Sequence, residues 1–201
     1  MVTPDEVLRY WFGDGDRNDI AVNETKGKLW FGHAAETDAE ITERFGAALQ
    51  AAGRGELDAW ADQPQGRVAL IIVLDQFSRN IHRGSGAMYD HDARALRLAT
   101  ESVASGEHRD LAYYERVFTY MPLMHAEELD SQNRCVALFE QLIEDAPNEA
   151  LANAGRNNLQ YAVAHRDIVA RFGRFPHRNE LLGRPSTAEE REFLTQPGSS
   201  F

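Results

Sequence analysis

Apolar residues recur along the chain at helical spacing, broken by short polar stretches. Leu8, Trp11 and Phe12 form one apolar face, opened by Thr3-Pro4-Asp5-Glu6 and closed by Gly13-Asp14-Gly15-Asp16. That opening is a capping box: the Thr hydroxyl and the Glu carboxylate can take up unpaired N–H groups of the first turn, and Pro suits the first helical position. Residues 28–31 carry an aromatic pair, Trp30 and Phe31. Ile41, Phe45, Ala48, Leu49 and Ala52 predict a helix over residues 37–52, closed by Gly53 and Gly55.

Residues 64–81 are the most apolar element. By composition Ala69-Leu70-Ile71-Ile72-Val73-Leu74 suits a buried strand. The helical pattern nevertheless continues through Phe77 and Ile81, and Asp75 with Arg79 makes an i,i+4 pair of favourable orientation. A helix is predicted, apolar nearly all round and therefore central. Ala93, Leu96, Thr100 and Val103 mark the next helix, and Tyr114, Val117, Phe118 and Met121 another. Pro122 predicts a kink or break there, because it lacks a donor and clashes one turn back. Residues 135–143 and 159–172 mark two more, the second stopped by Gly173. Ser186-Thr187-Ala188-Glu189-Glu190 offers capping boxes in two registers before a last short helix through Phe193 and Leu194. The tail Pro197-Gly198-Ser199-Ser200 is expected to fray.

These elements predict an all-α fold of stacked antiparallel helical hairpins. It is read as a single domain over residues 1–201, with a core over about residues 3–195. Neither a low-complexity linker nor a clean fixed-period repeat divides the chain.

Composition narrows the partners. The net charge is −11, which argues against nucleic acid and against an anionic membrane surface. The charge is uneven: in residues 165–184 five arginines stand against Asp167 and Glu180, a net of +3, so the remainder carries −14. A basic island on an acidic body suits a small anion, or else internal pairing with the chain's own acids. Cys135 is the single cysteine, which rules out an internal disulfide, and its apolar neighbours predict a buried, inert thiol. A signal-peptide pattern is absent, and the apolar run 69–74 is too short to span a bilayer, so a cytoplasmic location is the expectation.

The densest chemistry lies in Arg171-Phe172-Gly173-Arg174-Phe175-Pro176-His177-Arg178-Asn179. Pro176 forces Phe175 out of helix, and if it opens a short helix, His177, Arg178 and Asn179 fall in a first turn whose N–H groups favour anions. Arg171 follows Asp167 by one turn, so an i,i+4 surface pair is its bland reading. His165 lies on the stripe Tyr161, His165, Ile168, Phe172, expected to be the buried face of its helix. His125 and Glu128 share a face at i,i+3, but two ligands on one helix do not make a metal site, and none is assigned. Asp75-Gln76-Phe77-Ser78-Arg79-Asn80 ends the most apolar helix with polar groups that need partners. Walker-type and dinucleotide-binding loops are absent, Ser78 lacks a nucleophile-elbow context, and the sequence leaves the cofactor unknown.

Three stretches together resemble a known bacterial family, domain of unknown function 924. They are Leu74-Asp75-Gln76-Phe77-Ser78-Arg79-Asn80, Tyr120-Met121-Pro122-Leu123-Met124-His125, and residues 171–179 followed by Leu182-Gly183-Arg184-Pro185-Ser186-Thr187. The resemblance runs in order over residues 7–194 and implies an all-helical, tetratricopeptide-like fold without an established activity. His125, Glu127, His165, Arg171, Arg174, His177, Arg178 and Asn179 stand on matching motif positions. Where the family motif usually reads His-Ser-Glu, this chain has Ala126, so a serine-dependent role is not available to it.

Two functional readings remain open. In the first, a pocket binds a small anionic metabolite and supports hydrolase or transferase chemistry. His125 and His165 are the catalytic candidates, since His alone titrates near neutral pH unperturbed. Asp75, Arg79, Asn80, Glu127, Arg171, Arg174, His177, Arg178 and Asn179 are the ligand-binding candidates. In the second, stacked hairpins present a groove to a peptide or protein partner, and the polar motif is structural.

Overall fold

The structure, a computed structural model, describes residues 2–200, and their regular secondary structure is entirely helical. The helices are α1 (Pro4–Phe12), α2 (Ala21–Phe31), α3 (Ala35–Gly53), α4 (Pro64–Ile71), α5 (Ser78–Ile81), α6 (Asp92–Ser105), α7 (Tyr113–His125), α8 (Leu129–Glu144), α9 (Glu149–Phe172) and α10 (Ala188–Phe193). The capping box of α1 forms as expected: Thr3 N donates to Glu6 Oε2 at 2.8 Å, and Glu6 N donates to Thr3 Oγ1 at 3.3 Å.

The predicted central helix is present but not uniform. Between α4 and α5 the residues Ile72–Phe77 are wound as π-helix, so the run from Pro64 to Ile81 is continuous with one widened stretch. Periodicity cannot distinguish the two windings over so short a run. The element packs against α1, α3, α6 and α7, and Ile72, Val73, Leu74 and Phe77 are fully buried. Around it sits an aromatic core. Trp11 meets Phe77 and Phe118 edge-on at centroid distances of 5.5 and 5.4 Å, and Phe45 stacks on Phe77 at 4.6 Å. Trp30 Nε1 donates to the Trp11 carbonyl at 2.9 Å, so that indole is buried with its polar atom satisfied.

Three expectations change. α7 runs through Pro122 to His125 without a break: the proline removes one donor, the one that would bond the Phe118 carbonyl, and the chain stays helical on both sides of it. α9 begins ten residues before the predicted start, at an Asn148 cap whose side chain accepts from Leu151 N. The tail folds back: Ser199 is buried and its hydroxyl donates to the Leu194 carbonyl at 3.3 Å. Cys135 is buried as expected, and burial pushes its thiol well up, so it is a poor nucleophile.

α8 and α9 pack along each other after a four-residue connection, and α7 packs on α8, as in successive helical hairpins. This is compatible with the tetratricopeptide-like type that the resemblance implies. Gly173 stops α9 in the left-handed region at φ 70°, as its position predicts. The chain then turns over a small second core of Ile168, Val169 and Phe175, with Phe172 and Phe193 against it. None of the described helices is long and apolar enough to cross a membrane.

Candidate functional site

Asp75 lies inside the π-helical stretch and is fully buried. Such widened turns insert an extra residue into the helical ladder and often mark functional positions. Three groups converge on Asp75. His125 Nδ1 lies 2.8 Å from Oδ1, Gln76 Nε2 donates to Oδ2 at 2.5 Å, and Arg79 Nη1 reaches Oδ1 at 3.0 Å and the backbone carbonyl at 2.6 Å. Burial opposes the charge on Asp75, but Arg79 and His125 outweigh it and hold the carboxyl well below the usual range. An ionised carboxylate only accepts, so His125 Nδ1 carries the hydrogen and its Nε2 is the basic atom.

His125 stands at the end of α7, with its ring 6.4 Å from the ring of His165 on α9. The Nδ1 of His165 donates to the Tyr161 carbonyl at 2.8 Å, which selects the same tautomer. Phe175 packs edge-on to His165 at 5.4 Å and beside His177 at 5.6 Å. Burial lowers all three histidines: His165 to about 3, His177 to about 4, and His125 in the same direction, with the Arg79 charge adding to burial. They are neutral imidazoles at neutral pH.

The charged half of the cluster includes two residues that the sequence did not single out, Asp92 and Tyr89. Asp92, the first residue of α6, accepts from Arg79 at 2.9 and 3.1 Å and from Arg178 Nη1 at 3.4 Å. The Arg178 guanidinium lies 4.6 Å from the Tyr89 ring centroid and 4.5 Å from that of Phe175. The loop bearing Tyr89 is fixed by Ser78, whose hydroxyl donates to the Met88 carbonyl at 3.2 Å. It also crosses the turn after Asn179 so closely that a Cβ at Gly86 would collide with the Leu181 carbonyl. The signals for Asp92 and Tyr89 were weak, since a lone acid at a helix start reads as a dipole partner and a lone Tyr in a loop has no periodicity.

The remaining candidates form a second network that braces the turn. Glu127 accepts from Phe175 N at 2.7 Å and from Arg184 at 2.5 and 2.9 Å. Arg174 binds Glu190 through two hydrogen bonds, 2.6 and 2.8 Å. Asn179 donates to Ser186 Oγ at 3.0 Å and accepts from Arg184 Nε at 3.0 Å. Arg171 pairs with Glu189 at 2.9 Å rather than with Asp167, which is taken by Arg166. The capping box of α10 presents Glu189 and Glu190 to the arginines, a long-range pairing that helical spacing does not encode. Asn80 points the other way, donating to Asp38 on α3 at 2.8 Å. Glu128 lies beyond the end of α7, so it does not share a helical face with His125, and among the described residues there is no group of three His, Cys, Asp or Glu placed to hold a metal. Tyr161 is 60% exposed, so the expected buried stripe begins at His165.

The structure thus gathers Asp75, Arg79, His125, His165, His177 and Arg178 near one another and uses Glu127, Arg171, Arg174 and Asn179 as bracing. Comparison with curated proteins yields no match. Among solved structures, a protein of unknown function from Agrobacterium tumefaciens is similar at 34% identity and a TM-score of 0.75, over 95% of this chain and 96% of that one. A family described as bacterial protein of unknown function, DUF924, matches residues 7–198. On that match, which spans nearly the whole chain and agrees with the structural likeness, the protein belongs to the DUF924 family.

Proposed function

We propose that this protein binds a small anionic metabolite beside Arg178 and acts on it by acid–base chemistry at His125, as a hydrolase or a transferase. The observation that carries this reading is the hydrogen bond between the buried Asp75 carboxylate and His125 Nδ1, 2.8 Å long. It fixes the ring, sets its tautomer and leaves Nε2 as a base that is neutral at physiological pH. Arg79 keeps Asp75 ionised, so the carboxylate can steady the imidazolium formed when His125 takes a proton. His165 and His177 supply further neutral imidazoles beside it.

Hydrolysis of 4-nitrophenyl esters and of 4-nitrophenyl phosphate by the wild type, His125→Gln and Asp75→Asn tests this. His125→Gln is expected to lower the rate about a hundredfold or more, the usual worth of a positioned acid–base group. Asp75→Asn is expected to lower it less and to shift the pH profile. Rates identical in wild type and His125→Gln on every substrate that turns over would sink the reading.

The binding-module reading has one observation in its favour. Each of the five arginines in residues 165–184 faces an acid of the same chain. Under that reading both substitutions lower the melting temperature and change no reaction.

A further inference from the structure

The arginines of the basic segment are not equivalent. Arg166, Arg171, Arg174 and Arg184 each hold a carboxylate at 2.9 Å or closer. Arg178 meets its acid only at 3.4 Å, and its Nε is buried without a hydrogen-bond partner. Its position comes from the two rings that flank it, Tyr89 and Phe175, and its residue is only 6% exposed. Its acid, Asp92, is meanwhile committed through both oxygens to Arg79. A guanidinium held by ring contacts and loosely paired, with a buried donor unused, is a fork kept ready for another acceptor.

We propose that Arg178 is the receptor for a monocarboxylate group, and that Asp92 is a resident counter-charge whose place on Arg178 the ligand's carboxylate takes. The inference rests on the reading of this cluster as an anion site and names its ligand class. The stacked rings keep the guanidinium in place when Asp92 lets go, and Asp92 itself stays bound to Arg79. A planar carboxylate matches a planar guanidinium through two parallel hydrogen bonds. The charge balance favours one negative charge over two. Arg79 and Arg178 cancel Asp75 and Asp92, and the three histidines are neutral. A carboxylate leaves the buried cluster one charge in excess, whereas a phosphate dianion leaves two.

The test is titration of the full-length protein with sodium acetate at constant ionic strength, followed by amide chemical shifts. Inorganic phosphate serves as the comparison and chloride as the salt control. In the wild type, acetate is expected to bind more tightly than phosphate and to shift amides around Arg178. Asp92→Asn is expected to tighten acetate about tenfold, since it removes the competing charge. Arg178→Gln is expected to abolish binding, and Arg178→Lys not to restore it, because a point charge lacks the fork. If Asp92→Asn does not fold, Tyr89→Leu serves instead, with weaker acetate binding expected because the guanidinium loses one of its rings. Unchanged or weaker acetate binding in folded Asp92→Asn overturns the role of Asp92, and wild-type-like binding in Arg178→Lys or Tyr89→Leu overturns the receptor. Phosphate preferred over acetate overturns the ligand class but leaves the anion site standing. Acetate binding that survives alongside an inert His125 would instead fault the acid–base chemistry alone.

Discussion

Arg79→Ala is expected to destabilise the protein by about 3–5 kcal/mol, the usual cost of removing one partner from a buried ion pair. Arg79 lies between two carboxylates, reaching Asp75 at 3.0 Å and Asp92 at 2.9 Å. Without it Asp75 keeps only His125 and Gln76 as partners, in a position with no access to solvent. The carboxyl would then lose the main force that offsets its burial, and its pKa would rise. Arg79→Lys should recover only part of the loss, because an ammonium group cannot serve two carboxylates with a rigid fork. Urea unfolding of the three proteins checks this. A loss below about 1 kcal/mol for Arg79→Ala, typical of an exposed pair, would show that Asp75 has another source of compensation.

That network marks where sequence reasoning succeeds and where it stops. Helices were legible because their signals are local. Thr3 and Glu6 cap α1, Gly173 ends α9, and Thr187 with Glu190 caps α10, each within one turn of the residues concerned. The central place of the helix from residue 64 was legible from its apolar surface, and the Asp75–Arg79 pair from its spacing. The π-helical stretch was not, since it alters the winding by one residue and leaves composition untouched.

Long-range pairing was the harder part. His125 and Asp75 stand 50 positions apart, and Arg178 and Asp92 stand 86 apart, so only the fold unites them. The motifs that carry the family resemblance supply both sides of the first pair but only Arg178 of the second, since Asp92, like Tyr89, lies outside those motifs. The same limit explains the arginines. Residues 171–179 look like a basic site because the counter-ions of their arginines, Glu189, Glu190 and Asp92, are distant or hidden in a cap. The pairing alternative accounts for Arg171 and Arg174 in full. It accounts poorly for Arg178, whose contact is the longest of the set and whose Nε has no partner.

Acidification supplies the second large effect. Lowering the pH from 7.5 to 5 is expected to cost about 4 kcal/mol from His165 and His177 together, about 2 from each. In the unfolded chain both titrate near the ordinary value of about 6.5. In the folded protein burial holds them at about 3 and about 4. Between those values the unfolded state binds the protons that the folded state refuses, so stability is complete above the unfolded pKa and falls as the pH drops. His125 is lowered too and acts in the same direction. Below about pH 4 a second phase follows, as the depressed carboxyls of Asp75 and Glu127, and of Glu190 held at about 2, lose their share. Urea unfolding at half-unit pH steps measures both limbs. His165→Gln should flatten the upper limb by about half and leave the lower one in place. An upper limb unchanged by that substitution would mean that His165 titrates normally and that other groups supply the acid-linked loss.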